Sequence, residues 1–185
     1  MVAWLMWTVI GIVALIIIVV ISYYNRFNIL ANRIANSLSQ IDVQLKRRAD
    51  LIPNLIETVK GYAKHESKIM KDVTEARKEL VGAKTIEKKV SAGDALQNAL
   101  GRLFAIAENY PNLKANENFL ELQRELAATE DRVAYARQSY NDSILSYNNL
   151  CKTFPGAMFA SMFGHKEKEY LKITESERKV VKVDF

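Results

Sequence analysis

Residues 34–62, IANSLSQIDVQLKRRADLIPNLIETVKGY, carry apolar side chains at positions 34, 38, 41, 45, 52, 55, 59 and 62. Steps of three and four hold these positions on one face of an α-helix, the pattern of a helix packed along a bundle seam. Ile69, Val73, Ala76 and Leu80 extend the stripe. Arg48 interrupts it just before ADLIPN at 49–54. Asp50 is suited to cap a helix N-terminus and Pro53 to stand in a first turn, where its missing N–H costs little. The pattern predicts two helices, about 26–49 and 51–82; one kinked helix is the alternative, because the phase survives the break.

Towards the C-terminus the same spacing recurs. Leu96, Leu100, Leu103, Ala107 and Tyr110 predict a third helix over about 85–109, closed by Pro111 because the residue before a proline is pushed out of helical geometry. Gly93, in SAGD at 91–94, marks a weak point or a late start of that helix. A fourth and longest helix, about 113–153, follows from Phe119, Leu122, Leu126, Thr129, Val133, Ala136, Tyr140, Ser143, Tyr147 and Leu150, and Pro155-Gly156 ends it. Its small and polar seam members predict close helix approach and some buried hydrogen bonding. Long helices joined by short turns pack antiparallel.

Towards the N-terminus, Val2–Ile21 reads VAWLMWTVIGIVALIIIVVI, twenty residues without a charge. As a helix this run spans about 30 Å, the thickness of a bilayer's hydrocarbon core. Trp4 and Trp7 mark one interface and Tyr23 and Tyr24 the other. A cleaved signal would want basic residues before the run and a small-x-small site after it, so an uncleaved single-pass anchor is expected. Arg26, Arg33, Lys46, Arg47 and Arg48 all follow the run, which by charge bias places the remainder on the cytoplasmic side.

The expected fold is therefore all-α. A transmembrane helix over 1–25 precedes an antiparallel up-and-down four-helix bundle over 26–153. A C-terminal extension over 154–185 packs on the bundle or contacts a membrane or partner. With 7 Gly and 3 Pro in 185 residues, the chain lacks the turns an all-β fold needs. About 160 residues outside the membrane suit one domain with a proper core.

No catalytic constellation emerges, and no cofactor is predicted. A di-metal site in a helical bundle needs Glu-x-x-His pairs, but the residues three before His65 and His165 are Tyr62 and Met162. His65-Glu66 lacks the second histidine of a zinc-protease helix. The single cysteine, Cys151, sits deep in a helical pattern and reads as a small hydrophobe. The net charge of +5, from 26 Lys and Arg against 21 Asp and Glu, is interspersed in sign, as on a solvated helix face, and no nucleic-acid partner is expected.

Two clusters remain as candidate sites. Lys46, Arg47, Arg48, Asp50, Asn54, Glu57 and Lys60 form either an ion-pair network fixing helix register or a recognition face. Arg48 on the seam calls for a carboxylate partner, from Asp50 or from Glu130 or Asp131 of the fourth helix. Met158, Phe159, Met162 and Phe163 form an apolar group that reads as a lid over the bundle's end or as a contact to membrane or partner.

YN at 24–25, IDVQLKRRADLIPNLIETVKGYAKHE at 41–66, NALGRLFAIAENYPNLKANENFLELQRELAATEDRVAYARQSYND at 98–142, FPG at 154–156 and the ending KVDF closely resemble the LemA family of bacterial membrane-anchored proteins. Where members commonly carry an aromatic after the glycine of the tail, this chain has His165. The resemblance implies antiparallel helices behind a membrane segment in the bacterial cell (inner) membrane. It implies no established activity or cofactor, so it carries over no catalytic residues. Some relatives look like lipoproteins, which would put their helices outside the cytoplasm. The expected function is a non-enzymatic membrane-anchored scaffold that self-associates as a homo-oligomer or binds another membrane protein. The alternative is an enzyme or regulatory ligand-binding module using Arg47–Glu57.

Overall fold

Pro53 does not end the helix that contains it. In the computed structural model, which describes residues 2–171, the first helix, α1, runs unbroken from Val2 to Tyr62. Residues 172–185, including the KVDF ending, lie outside the described residues. A proline inside a helix removes the amide that would bond the carbonyl four residues back, here that of Ala49. Arg77 supplies the missing donor: its Nε donates to the Ala49 carbonyl at 2.8 Å. Ala49 is buried, so an unclaimed carbonyl there would be costly. The expected break near residue 50 is thus replaced by a helix continuous to Tyr62, and the chain breaks instead at 63–66, so neither two helices divided at residue 50 nor one kinked helix reaching 82 is found. Asp50 lies inside it, exposed and ion-paired to Lys46 at 3.3 Å, and caps nothing.

The chain leaves α1 just after Gly61, one of the poorest helix formers. The remaining helices are α2 (Ser67–Gly82), α3 (Ile86–Ala107), the single turn α4 (Pro111–Lys114), α5 (Glu117–Lys152) and α6 (Gly156–Phe163). The described residues hold no strand, and the class is all-α. They form six helices rather than an anchor plus four. The apolar run and the helix expected to follow it are one element, and Pro111 opens its own turn instead of merely closing α3. Local chemistry sets the starts. The Thr85 hydroxyl accepts from the Lys88 amide at 3.3 Å, and the Asn116 side chain accepts from the Phe119 amide at 3.0 Å.

The helices pack in two units. The first comprises Leu38–Arg137 with Leu171. Asp42 meets Lys89 and Arg48 meets Gln97, positions that rise together, so α1 and α3 run parallel here. Arg48 meets Glu130 and Tyr62 meets Asn116, so α1 and α5 run antiparallel. Asp72 with Arg102 and Glu66 with Tyr110 show the same for α2 and α3. Ile41, Ile52, Leu55, Leu96, Leu100, Leu103 and Leu126 are fully buried in this unit. Each contributes about 1.5–3 kcal/mol over an exposed side chain. Gly93 lies inside α3 and starts nothing. A Cβ there would stand 3.0 Å from Leu45 Cδ2, so its value is the close approach of α3 to α1.

The second unit comprises residues 2–37 with Gln138–Tyr170. Its core is Phe27, Leu30, Ile34, Ile144, Tyr147, Leu150 and Ala160. Ser37 and Ser139 hydroxyls meet at 3.3 Å and the Phe27 and Tyr147 rings at 5.9 Å, so α1 and α5 are antiparallel here as well. The apolar run Val2–Ile21 is exposed throughout apart from the half-buried Val20. Among the described residues, α1 is the one helix long and apolar enough to cross a membrane.

Candidate functional site

The polar cluster of α1 does not converge. On a helix, Arg48 points away from positions 47, 50, 54, 57 and 60. Arg47, Asp50, Asn54, Glu57 and Lys60 are all exposed, whereas Arg48 is 2% exposed. Its guanidinium donates to the Gln97 Oε1 of α3 and ion-pairs with Glu130 of α5, while its buried Nε finds no hydrogen-bond partner among the described residues. Lys89 with Asp42 at 2.7 Å and Arg137 with Asp94 at 3.3 Å flank this pair. Together they tie α1, α3 and α5 at matched levels. Such pairs do little for net stability when weighed against desolvation, but they penalise every register in which a charge would be buried alone.

A cavity of about 200 Å³ lies against Arg48, lined by Gln97, Leu100, Phe104, Gln123, Leu126 and Ala127. Arg48 is the one titratable group in its wall, so no acid–base pair faces the space. Among the described residues no three His, Cys, Asp or Glu side chains are placed to hold a metal. Cys151 is half-buried and its thiol is pushed above its ordinary range, first by burial and then by nearby Glu167, the opposite of an activated nucleophile. Burial also raises the Tyr147 hydroxyl, whereas Tyr110 is raised by donating to the Glu66 carboxylate at 2.9 Å.

The second cluster does converge. Helix α6 turns back on α1 so that Phe159 stacks on Tyr23, ring centroids 4.6 Å apart, and Phe163 meets Tyr24 edge-on at 5.4 Å. Tyr23 and Tyr24 therefore contact protein as well as marking the end of the apolar run. Met158 and Met162, on the other face of α6, are exposed, as are Trp4 and Trp7. Gly156 allows this fold-back, since a Cβ there would run into the Leu150 carbonyl; Gly164, at φ 72°, ends α6 in the left-handed region.

His165 then stacks on Phe27 at 4.4 Å, and its Nδ1 meets the Tyr147 hydroxyl at 3.0 Å. It fills an aromatic's place with an imidazole. Buried Asn148 completes the closure: its Nδ2 donates to the Lys168 carbonyl and its Oδ1 accepts from the Lys168 amide, each at 2.9 Å. The sequence reading missed Asn148, although a polar residue on the inward face of a helix was the available signal.

The sequence model of the LemA family matches residues 37–185, from the middle of α1 through the tail. The chain belongs to the LemA family. Among curated relatives, magnetosome protein MamQ of Magnetospirillum gryphiswaldense is 30% identical over 173 residues, covering 80% of this chain and 64% of its own length. Magnetosome protein MamQ 2 of Paramagnetospirillum magneticum is 27% identical over the same shares. Protein LemA of Metamycoplasma hominis is 29% identical over 128 residues, 66% of this chain and 57% of its own. The chain thus spans less than two thirds of the length of these relatives. The family match takes in Arg48, Gln97 and Glu130 as well as α6 and His165, so both clusters lie inside the LemA region.

Proposed function

We propose that this LemA-family chain is a non-catalytic, single-pass membrane scaffold that acts through self-association or by binding another membrane protein. The observation that carries the reading is α1, one helix whose first twenty residues are apolar and lipid-compatible and whose later face, from Ile41 through Val59, is core. A chain so built carries its folded part to a bilayer. Within Leu38–Arg137 we read α1, α2, α3 and α5 as a four-helix bundle, supported by the alternating directions of their contacts. The names of the relatives, LemA and magnetosome protein, specify no reaction, in keeping with this reading. The test is purification of the full chain in mild detergent followed by mass photometry. Dimers, higher species or a stoichiometric co-purifying membrane protein are expected, and a strict monomer alone would count against a scaffold.

Charge bias puts the bundle on the cytoplasmic face of a bacterial inner membrane, through Arg26 and Arg33 next to the span. Cysteine labelling of intact cells tests this. Cys151, half-buried with a raised pKa, is a poor reporter, so an exposed site such as Val81→Cys in a Cys151→Ser background is the better one. Labelling by an impermeant maleimide before lysis would reverse the assignment.

A ligand-binding module is the second reading, narrowed from the Arg47–Glu57 region to the cavity at Arg48, where a buried Nε has no partner among the described residues. Small carboxylates that raise the melting temperature of the native chain but not of Arg48→Gln would favour it over a plain scaffold.

A further inference from the structure

Helix α6 has two faces, and the protein covers one of them. Phe159 and Phe163 pack on Tyr23 and Tyr24, and Ala160 lies in the core. Met158 and Met162, four residues apart on the other side, are 63% and 58% exposed, and Phe154, in the turn just before α6, is 82% exposed. Three large exposed apolar side chains within nine residues are an expensive surface to leave in water.

Their position says what covers them. Tyr23, against which α6 docks, is two residues past Ile21, the end of the uncharged run. Two residues are about 3 Å along a helix axis, so α6 sits at the level where hydrocarbon gives way to headgroups. The outward side chains suit that medium. Methionine is unbranched and adapts to irregular apolar surroundings, and an aromatic is at home in the interface.

We propose that Met158 and Met162, with Phe154 of the preceding turn, enter the bilayer, so that α6 is a second, interfacial membrane contact beside the α1 span. The inference rests on reading Val2–Ile21 as a span. Its inward face fixes α6 to the end of the span through stacked rings, and its outward face lies in lipid as amphipathic interfacial helices do. The chain then holds the membrane by one crossing segment and one lying on the surface.

The test uses tryptophan fluorescence of the full chain in neutral phosphatidylcholine liposomes whose acyl chains carry bromine. Trp4 and Trp7 are the two native tryptophans and report the span. In a Trp4→Phe/Trp7→Phe background, Met158→Trp or, should that variant misfold, Met162→Trp reports α6. Gln138→Trp is the control. It is exposed, next to Ser139, whose partner Ser37 lies sixteen residues beyond Ile21, about 24 Å of helix.

The proposal expects bromolipid to cut the emission of the native indoles and of Met158→Trp by about twofold or more, leaving Gln138→Trp unchanged, as for an apolar face sunk to the acyl boundary. Quenched native indoles with an unquenched Met158→Trp would retain the span and overturn the interfacial helix. Unquenched native indoles would remove the span and this proposal with it. A Met158→Trp indole that is blue-shifted yet insensitive to bromine would assign the face to a second copy of the chain. Equal quenching of Gln138→Trp would also overturn the proposal, since a site about 24 Å of helix beyond the run would then be as close to lipid as α6.

Discussion

Replacing Arg77 by methionine should destabilise the protein only because residue 53 is a proline. Arg77→Met keeps most of the apolar stem and removes the Nε that donates to the Ala49 carbonyl at 2.8 Å. That carbonyl belongs to a buried residue and sits four places before Pro53, so no backbone amide can replace the lost donor. A hydrogen bond from a charged donor to a buried acceptor contributes about 1.5–3 kcal/mol, and leaving the acceptor unpaired costs a similar amount. Taking about 2 kcal/mol, a chain of this size loses about 4–8 °C in melting temperature. In Pro53→Ala the amide of residue 53 returns to the Ala49 carbonyl. There Arg77→Met should cost under about 1 kcal/mol, as for an ordinary surface change. Thermal and urea unfolding of the four variants, followed by far-UV circular dichroism of the full chain in nonionic detergent, closes the cycle. The expected coupling is about 1–2 kcal/mol. Equal costs in both backgrounds would refute the idea that Arg77 stands in for the missing amide.

Arg48→Ala should cost about 3 kcal/mol by leaving Glu130 and Gln97 without their partner, while Arg48→Met with Glu130→Leu should recover most of it, read by the same unfolding assay. Gly93→Leu should lose about 1–3 kcal/mol by forcing Leu45 aside, whereas Gly93→Ala should stay within about 1 kcal/mol of the native chain, helix propensity offsetting the 3.0 Å contact. Tyr110, Tyr147, Cys151 and Lys152 all have raised pKa values, the last by bonding Glu167. Between the ordinary and raised values the folded chain binds more protons than the unfolded one, so stability should be intact at neutral pH and fall as pH climbs above about 9–10. Chemical denaturation at stepped pH reads this, and a chain more stable at pH 11 than at pH 8 would contradict it.

Periodicity made the helices legible, because burial of one face is repeated every turn and so written many times over. The starts and stops were harder, since each depends on one or two atoms. Pro53 read as a boundary because the residue that neutralises its cost, Arg77, lies twenty-four positions away, and nothing local announces the pairing. Gly93 read as a weak point for the same reason: the atom that needs its missing Cβ belongs to Leu45. Arg48 was visible as a charge on an apolar stripe, and of the three carboxylates it pointed to, Asp50, Glu130 and Asp131, Glu130 is the one that pairs with it. The separation of Arg48 from Arg47, Asp50, Asn54, Glu57 and Lys60 also follows from helical geometry. Grouping them by sequence distance alone obscured it. The apolar character of Met158, Phe159, Met162 and Phe163 was plain, but their division into an inward pair of rings and an outward pair of thioethers required the docking partners Tyr23 and Tyr24.

Asn148 holds the tail by the main chain of residue 168 and not by its side chain. Such a clasp is indifferent to which amino acid it grips, provided that residue has an N–H to give. Mutational tolerance of the clasp should therefore be lopsided: at residue 168 it accepts nearly every type except proline, the side chain's own stake being the Lys168 ammonium 5.5 Å from the Tyr147 ring centroid, while the asparagine that reads it has no substitute offering a donor and an acceptor in the same plane at the same reach.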